Sequence, residues 1–234
     1  MKALIYRDYG GPDVLHLEEV EKPTPGAEEA LVRVRAASIN PLDWHFMRGK
    51  PYPIRLMTGM RRPKTTRIGV DVAGVVEAVG SGVSDLKVGD EVFGSCRGAL
   101  AEFVCTSKVV RKPKRLTFEQ AAAVNIAGLT ALQSLRDGAR VRAGEKVLIN
   151  GAAGGVGTFA VQIAKLFGAE VTGVCSSKNL DTVRSLGADH AIDYGAEDFT
   201  RGRDRYDVIL DAIGNHPLAD LRSALAPAGR YVAI

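Results

Sequence analysis

The hydrophobic positions in the first half of the chain form short runs that indicate β-strands. These runs occupy residues 2–6, 30–38, 74–80, 90–95 and 100–107. Glycine, proline and acidic turn residues separate them, as in GGPD, PTPGAEE and KVGDE. Several short strands without long helices between them are typical of a small barrel or sandwich. We therefore predict a β-rich half that extends to about residue 115.

From Thr117 onward the pattern changes to helices that alternate with strands. Residues 117–135 show a helical period, and Thr117 and Gln120 form a predicted capping box at its start. Strands are predicted at 146–150, 170–175, 190–194, 206–213 and 230–234, with helices at 155–167, 179–186 and 217–225. This alternation indicates βαβ units and a parallel sheet. The strand cores are continuously apolar, which predicts a sheet that helices cover on both faces.

Composition narrows the classes of protein that fit. The chain has 234 residues, enough for one large domain or two ordinary ones, and 31 basic and 27 acidic residues give a modest formal charge of +4. Cys96, Cys105 and Cys175 are widely spaced, which argues against a disulfide framework and a four-cysteine zinc site. A reducing cytoplasm is the expected compartment. No apolar stretch reaches the ~20 residues of a membrane-spanning helix, and the N-terminal apolar run is too short for a signal peptide.

The segment NGAAGGVGTF, residues 150–159, lies between a predicted strand and a predicted helix. It follows the pattern A-x-G-x-x-G, a variant of the dinucleotide fingerprint G-x-G-x-x-G with Ala152 at the first position. Gly154 would let the backbone approach a pyrophosphate, and Gly157 would let the helix pack close to the strand. The alternative is a plain structural turn, but the strand before and the helix after favour nucleotide binding. The predicted cofactor contacts in this turn are Ala153, Gly154, Gly155, Val156 and Gly157.

The residues after the next strand indicate which dinucleotide is preferred. NAD sites usually place an acidic residue there for the ribose hydroxyls, whereas a 2′-phosphate favours hydroxyl groups and a cation. This chain has Ser176, Ser177 and Lys178, with no carboxylate before Asp181. We therefore predict NADP(H) as the cofactor. The alternative, that Ser176 merely opens the next turn, explains one serine but not the three residues together.

Longer motifs resemble a known superfamily. They are GAAGGVGTFAVQIAKLFGAEVTGVCSS and LGADHAIDY in the second half, and AASINPLDWHFMRG, GVDVAGVVEAVGSGV and VGDEVFG in the first. Together they resemble the medium-chain dehydrogenase/reductases, most closely the zinc-independent quinone oxidoreductase branch, over essentially the whole chain. The resemblance implies an α/β fold with an N-terminal GroES-like β-barrel catalytic domain, residues 1–118. It also implies a Rossmann domain with a doubly wound parallel sheet that binds NADP, residues 119–234, and an active site in the cleft between the two domains.

The end of the chain departs from that resemblance. The last predicted strand stops at Ile234, whereas in the family a further segment completes the Rossmann sheet and returns to the catalytic domain. We therefore expect a C-terminally truncated chain that lacks the last strand and the return segment. The family often dimerises through the edge of this sheet, so a homodimer is an expectation that the missing strand weakens.

The zinc ligands of the superfamily are not matched. Zinc-dependent relatives have Cys where this chain has Asn40, and a His-Glu pair where it has Val70 and Asp71. Catalytic zinc needs about three Cys, His or carboxylate ligands, and neither Asn40 nor Val70 can serve. The four cysteines of the structural zinc loop are reduced to Cys96 and Cys105. We predict no metal site.

The resemblance also assigns candidate catalytic residues. Asn40 is expected to hydrogen-bond a substrate oxygen, Asp43 to fix the local turn, and Thr130 to lie beside the nicotinamide, unless it is an ordinary helix residue. Tyr52 lies near the position of a proton-donating tyrosine in enoyl reductases. Its spacing is one residue longer here, and a loop aromatic packed beside prolines is an equal alternative.

Further candidates belong to the nucleotide side. Ile213 and Gly214, in DAIGN, follow a strand at the carboxyl edge of the sheet, where nicotinamide is expected. Tyr194 matches a contact of the family on the 2′-phosphate side. Asn125 is a polar residue in an apolar helix and is expected to face the cleft.

One function is favoured over its rivals. Hydride transfer from NADPH to a quinone or an α,β-unsaturated carbonyl compound needs orientation and a proton but no metal, whereas alcohol oxidation needs a Lewis acid or a base. The prediction is an NADPH-dependent, zinc-independent reductase of such small molecules. The alternatives are an alcohol dehydrogenase-like enzyme and a nucleotide-binding protein without turnover. The basic stretches at 61–67 and 111–115 favour solvated loops over nucleic-acid binding, and no membrane partner is expected. A further alternative for the first stretch is that it borders the mouth of the cleft and attracts an anionic substrate or cofactor.

Overall fold

Two structural units make up the computed structural model, which describes residues 1–234. They are Met1–Ile126 and Ala127–Ile234. The division lies beyond the predicted boundary at residue 118, because the helix that follows Thr117 packs with the first unit. Its Ala121 and Ala122 are buried against Ala73 of the first unit's sheet.

Antiparallel strands form the framework of the first unit. β1 (Lys2–Ile5) pairs with β2 (His16–Glu19) in a small sheet. The remaining strands are β3 (Ala30–Ser38), β4 (Asp71–Val79), β5 (Glu91–Ser95), β6 (Phe103–Thr106) and β7 (Val109–Arg111). They form a five-stranded sheet in the order β6-β3-β4-β5-β7, with a core dominated by buried valines. The predicted β-rich half is thus confirmed, but β2 and β7 were not predicted, because short strands with few inward apolar residues give no clear period.

The first unit also contains helices that the hydropathy pattern does not predict. α1 (Pro41–Arg48) begins with proline in its first turn and ends at Gly49, whose φ of 58° is in the left-handed region that glycine favours. α2 (Arg55–Thr58) is a single turn. Eight residues are little more than two turns in α1, too few to establish a helical period.

The long predicted helix from 117 to 135 is interrupted. α3 (Phe118–Ala122) starts with the predicted capping box, in which the Thr117 Oγ1 atom accepts the Gln120 N–H at 3.2 Å. α4 (Asn125–Gln133) follows and continues into a π-helical turn at Ser134–Gly138. The interruption coincides with the N–H of Ile126, which donates to the Asp71 carboxylate at 3.3 Å. The Asp71 side chain thus accepts a hydrogen bond from an N–H group that would donate to a backbone carbonyl in an unbroken helix.

A parallel sheet forms the centre of the second unit. Its strands are β8 (Lys146–Asn150), β9 (Glu170–Cys175), β10 (His190–Asp193), β11 (Tyr206–Asp211) and β12 (Leu225–Ala233), in the order β10-β9-β8-β11-β12. The helices are α5 (Gly155–Leu166), α6 (Leu180–Ser185) and α7 (Leu218–Ala224). Neighbouring residues of a strand point to different apolar cores: Ile149 packs in one core and Leu148 packs in the other. The predicted α/β fold with five parallel strands is therefore confirmed.

The last strand is longer than predicted. β12 starts at Leu225, directly after α7, rather than at residue 230. Leu225 pairs with Tyr206, and the register then shifts before Arg230 pairs with Val208. Ala228, with φ of 65°, lies within this irregular stretch. The irregular backbone interrupts the alternation of inward and outward side chains from which a strand is predicted. None of the helices in residues 1–234 combines the length and apolarity that crossing a bilayer requires.

Candidate functional site

The glycine-rich turn joins β8 to α5 through a close approach of two backbone segments. A Cβ atom added at Gly157 would lie 2.1 Å from the Gly151 carbonyl oxygen, so no side chain fits there. Gly151 itself has a φ of 88°, in the left-handed region. Ala152, the departure from the fingerprint, is fully buried and its N–H donates to the Val174 carbonyl at 2.9 Å. Its methyl group is therefore part of the core and does not obstruct the turn.

Backbone N–H groups are available where α5 begins. The first intrahelical bond runs from the Thr158 N–H to the Gly154 carbonyl at 2.9 Å. The N–H groups of Gly155, Val156 and Gly157 precede it and have no partner within the helix. The helix dipole adds a partial positive charge at the same end. This end of α5 is suited to an anionic group such as a phosphate.

A cavity of about 360 Å³ lies beside this turn, at the carboxyl ends of the parallel strands. Of the predicted residues, it brings together Ala153, Gly154, Ser176, Tyr194 and Ile213. Sequence reasoning missed the six further lining residues, which are Asn150, Gly151, Val174, Cys175, Asn179 and Asn215. The ends of parallel strands are the usual ligand-binding edge of such a sheet. The strand-end position of Asn150 and Cys175 was the signal available in the sequence.

Two of these predicted residues, Ser176 and Tyr194, line the cavity, whereas Ser177 and Lys178 do not. Ser176 precedes a short 3₁₀ turn at Ser177–Asn179, and the Asn179 Nδ2 atom donates to the Ser176 hydroxyl at 3.2 Å. Ser177 and Lys178 are exposed. Tyr194 is 65% exposed, and only its backbone N–H is engaged, with the Cys175 carbonyl at 3.1 Å. The side chains of Ser177 and Lys178 are thus free to meet a ligand from solvent.

Asp211 organises the loop after β11. It is 1% exposed, and its Oδ1 atom accepts the N–H groups of Ile213 at 3.0 Å and Gly214 at 2.9 Å. Asn150 donates to the same oxygen at 2.9 Å, and the Tyr231 hydroxyl donates to the other oxygen at 3.1 Å. Burial acts to raise the pKa of Asp211, but these donors outweigh burial and hold the pKa below its ordinary value. The DAIGN loop is therefore anchored by an ionised side chain from the strand.

We expect Asp211 to make stability depend on pH in the acid range. Because its folded-state pKa is lowered, its contribution is complete above the ordinary Asp value of ~3.9 and is lost as the pH falls through the folded-state value. Asp211→Asn should lower stability at neutral pH and give a shallower decline on acidification. Urea unfolding from neutral to acid pH measures both slopes. The exposed Asp181→Asn is the control, and a decline in Asp211→Asn as steep as in wild type would contradict the assignment.

A second polar cluster, in the first unit, is centred on Asp71 at the start of β4. Asp71 is fully buried and forms no ion pair. Its Oδ2 atom accepts the Ser38 hydroxyl and the Asn40 Nδ2 group, both at 3.1 Å, and its Oδ1 atom accepts the Asn125 Nδ2 group at 3.1 Å. The Ile126 N–H is the fourth donor. Hydrogen bonds alone thus stabilise a buried carboxylate.

The predicted residues Asn40 and Asp43 belong to this cluster. Asn40 precedes α1, and its backbone N–H donates to the Asp43 Oδ2 atom at 2.8 Å. Asp43 is 2% exposed, and its Oδ1 atom has no hydrogen-bond partner. Burial raises the pKa of Asp43, against the hydrogen bond from Asn40, and the nearby charge of Asp71 adds to the increase. Asp43 therefore accepts a hydrogen bond at the turn before α1 and leaves one buried oxygen without a partner.

Tyr52 and Thr130 take no part in these hydrogen-bond networks. Tyr52 is 65% exposed, with the Arg55 guanidinium 5.2 Å from its ring centre. Thr130 is half-buried in α4. Within residues 1–234, no group of three or more His, Cys, Asp or Glu side chains is arranged to hold a metal ion. The nearest thiol to the Asp71 cluster, Cys96, has its pKa raised to about 12 by burial and by the charges of Asp71 and Asp43.

Comparison with known families covers most of the chain. The profile of the alcohol dehydrogenase GroES-like domain matches residues 26–177. The profile described as zinc-binding dehydrogenase matches residues 155–234. The first match takes in β3 to β9 and the glycine-rich turn, and the second takes in α5 and β9 to β12.

Several curated proteins are similar in sequence. The chain is 41% identical to the chloroplastic NADPH-dependent alkenal/one oxidoreductase of Arabidopsis thaliana, over 92% of this chain and 58% of that protein. It is 38% identical to the chloroplast envelope quinone oxidoreductase homolog of the same plant, over 100% of this chain and 74% of that protein. The chain thus spans somewhat more than half of the first relative's length.

Solved structures show the same arrangement of elements. The quinone oxidoreductase of Coxiella burnetii superposes with a TM-score of 0.89 at 34% identity, covering 100% of this chain and 75% of that one. The Escherichia coli quinone oxidoreductase complexed with NADPH superposes with a TM-score of 0.87 at 30% identity, covering 100% of this chain and 72% of that one. With two family profiles, these relatives and a matching fold, the chain belongs to the medium-chain dehydrogenase/reductase superfamily, in the branch of the quinone oxidoreductases.

Proposed function

We propose that this protein is an NADPH-dependent oxidoreductase that reduces quinones or α,β-unsaturated carbonyl compounds by hydride transfer without zinc. The observation that carries the proposal is the turn at Gly157, where the 2.1 Å approach to the Gly151 carbonyl leaves room for backbone only. That geometry is what a dinucleotide fingerprint requires. The names of the relatives, an alkenal/one oxidoreductase and quinone oxidoreductases, support the substrate class.

The residues of the second unit fit a phosphorylated dinucleotide. The N–H groups at the start of α5 suit the pyrophosphate. Ser176, Ser177 and Lys178 offer two hydroxyls and a cation to a 2′-phosphate, with no carboxylate to repel it. The bound dinucleotide would supply the hydride. Asp211 would hold Ile213 and Gly214 in place, because their N–H groups already donate to its carboxylate.

The first unit would supply groups for the substrate. We propose that Asn40 hydrogen-bonds a substrate oxygen, with its amide oriented by Asp71. Asp71 only accepts hydrogen bonds when ionised, so the Asn40 NH₂ group must face it, and this fixes the amide's orientation. Tyr52, which is 65% exposed, is the proposed proton donor, and Thr130 is the proposed neighbour of the nicotinamide. The proposed reaction does not involve zinc, because neither Asn40 nor Val70 has a side chain that binds it.

The first test addresses the cofactor. We expect NADPH to bind more tightly than NADH, as measured by calorimetric titration. Lys178→Ala should weaken NADPH binding by roughly tenfold and leave NADH unchanged, because only NADPH carries the extra phosphate. Lys146→Ala is the matched control, because Lys146 begins β8 and the glycine-rich turn follows the other end of that strand. Equal affinities of the wild-type protein for the two dinucleotides would remove the basis for the Ser-Ser-Lys assignment.

The second test addresses the reaction. NADPH absorbance is followed with a panel of quinones, enones and enals, and NADP with a panel of alcohols. Turnover of quinones or enones is the expected result. Alcohol oxidation alone would favour the alcohol dehydrogenase-like alternative, and NADPH binding without any turnover would favour a nucleotide-binding protein.

Two further expectations are part of the proposal. A cytoplasmic location is supported by cysteine usage, with three cysteines and no disulfide. A homodimer is supported only by the fact that members of the superfamily often dimerise. Analytical ultracentrifugation of the purified protein tests it directly.

A further inference from the structure

The first unit contains a cavity of its own, of about 150 Å³. Apolar side chains form much of its wall, including Phe46, Met57 and Ile68. A water molecule takes up ~30 Å³ in the liquid, so the space corresponds to a short alkyl chain with a polar end group. The cavity thus has the size and the apolar character of a small-molecule site.

Three cations line this cavity and have no counter-ion. Lys64, Arg67 and Arg97 form no ion pair within residues 1–234, whereas Arg62 in the same loop pairs with Asp8 at 3.1 Å. Charges of one sign around an apolar opening concentrate ions of the opposite sign. The arrangement therefore favours an anionic ligand.

The two arginines are held on a rigid backbone. Four backbone hydrogen bonds of 2.8, 2.9, 3.0 and 3.1 Å join residues 96–100 to residues 68–70. Gly98, with φ of 95°, lies directly under Arg67, and a Cβ atom there would come within 2.7 Å of the Arg67 Cβ atom. The glycine thus lets the Arg67 side chain lie across the loop that carries Arg97. Two planar guanidinium groups on one rigid rim suit the paired oxygens of a carboxylate.

The inner end of the cavity offers polar groups. Asp43 lines the cavity, and its Oδ1 atom is buried without a partner. Tyr6 lines it too, and burial, with the charges of Tyr9 and Asp43, raises its pKa to about 12, so its hydroxyl remains a donor at neutral pH. Asp43 places one carboxylate against the three cations that line the cavity, which leaves a net positive charge there. A ligand oxygen would therefore meet the Tyr6 hydroxyl as a donor in addition to the three cations.

We propose that this cavity binds the carboxylate-bearing end of the substrate, so that the preferred substrate class is an enone or enal that carries a carboxylic acid. For the enone or enal group of this ligand, its reactive half, the proposal rests on the proposed function. The carboxylic acid is its acidic half. The acidic half rests on the three unpaired cations and the Tyr6 hydroxyl, all of which line the cavity. A neutral quinone would use the apolar wall but leave all three cations without a partner.

The test uses binding without turnover. Hexanoate and its methyl ester are titrated calorimetrically into the wild-type protein and into Arg67→Gln, Arg97→Gln and the control Arg61→Gln, which removes a cation outside the cavity. We expect hexanoate to bind more tightly than the ester. Arg67→Gln and Arg97→Gln should each weaken hexanoate binding by roughly tenfold, since each removes a charge-assisted hydrogen bond. Arg61→Gln should bind hexanoate like wild type, and matching urea midpoints establish that the variants are folded.

The outcomes separate this proposal from the proposed function. Equal binding of hexanoate and its ester, or hexanoate binding that is the same in Arg67→Gln, Arg97→Gln and Arg61→Gln, overturns the carboxylate subsite. Undetectable binding of hexanoate also overturns it. If hexanoate binds as expected but no enone is reduced, the subsite stands and the reductase proposal fails. If oxo-alkenoates and their methyl esters are then compared as substrates, the two arginine variants should raise KM for the acid alone and leave kcat unchanged.

Discussion

Gly157→Ala should abolish tight NADPH binding and destabilise the second unit by about 3 kcal/mol or more. The added methyl group would lie 2.1 Å from the Gly151 carbonyl oxygen and 2.7 Å from the Ala152 Cα atom. Both are backbone atoms, so relief requires that α5 move away from β8. That movement also displaces the N–H groups at the start of the helix. Calorimetric titration with NADPH and urea unfolding followed by circular dichroism measure the two effects.

Gly155→Ala is the matched control for that substitution. It lies in the same helix turn, and its added Cβ atom would meet only the Ala127 Cβ atom, at 4.0 Å. Alanine is also the better helix former, so stability should be unchanged or slightly higher. If Gly157→Ala and Gly155→Ala bound NADPH equally well, the close approach of strand and helix would not be what the turn requires.

Asp71→Ala should have the largest effect in the first unit, a loss of about 3–5 kcal/mol in the free energy of unfolding. It would leave four donors unpaired, those of Ser38, Asn40, Asn125 and Ile126. Asp71→Asn should be milder, because the Asn125 amide can rotate and present its oxygen to the new NH₂ group. Urea unfolding followed by the fluorescence of Trp44, the only tryptophan, reports on this unit.

The control for Asp71 is Asp8→Asn. Asp8 is an exposed partner of Arg62, and such surface pairs contribute about 0–1 kcal/mol. The expected order of stability is wild type and Asp8→Asn, then Asp71→Asn, then Asp71→Ala. An Asp71→Ala protein as stable as Asp8→Asn would show that the four donors find other partners.

The glycine-rich turn was predictable because its constraints are local. The strand, the turn and the helix are contiguous in sequence, and the need for glycine at position 157 comes from an atom six residues earlier, at Gly151. The parallel sheet was predictable for a similar reason, since each strand core is a continuous apolar run. The start of β12 was not, because its register shift near Tyr206 and the left-handed Ala228 hide the strand's alternation.

The role of Asp71 was not predictable, because its partners are distant in sequence. Before folding, Asp71 is only a residue where zinc-dependent relatives have glutamate. Its donors come from the end of β3, the residue before α1 and the start of α4, which meet only when the sheet has formed. The same assembly explains why the predicted helix across residues 117–135 is broken at residues 123–124, directly before Asn125. For the same reason, the sequence did not predict that Arg97 lies at the same cavity as Lys64 and Arg67, which belong to the basic stretch 61–67.

The loop anchored by Asp211 has a thermodynamic consequence for binding. The N–H groups of Ile213 and Gly214 are fixed by a carboxylate of the strand, and Asn150 also donates to the side chain of Asn215 at 3.0 Å. Ordering a free backbone costs about 1–2 kcal/mol per residue. Because this cost is met during folding, a ligand that contacts the loop loses none of its binding free energy to ordering it. Association should therefore proceed as a single step, with one concentration-dependent phase and no slower rearrangement after it.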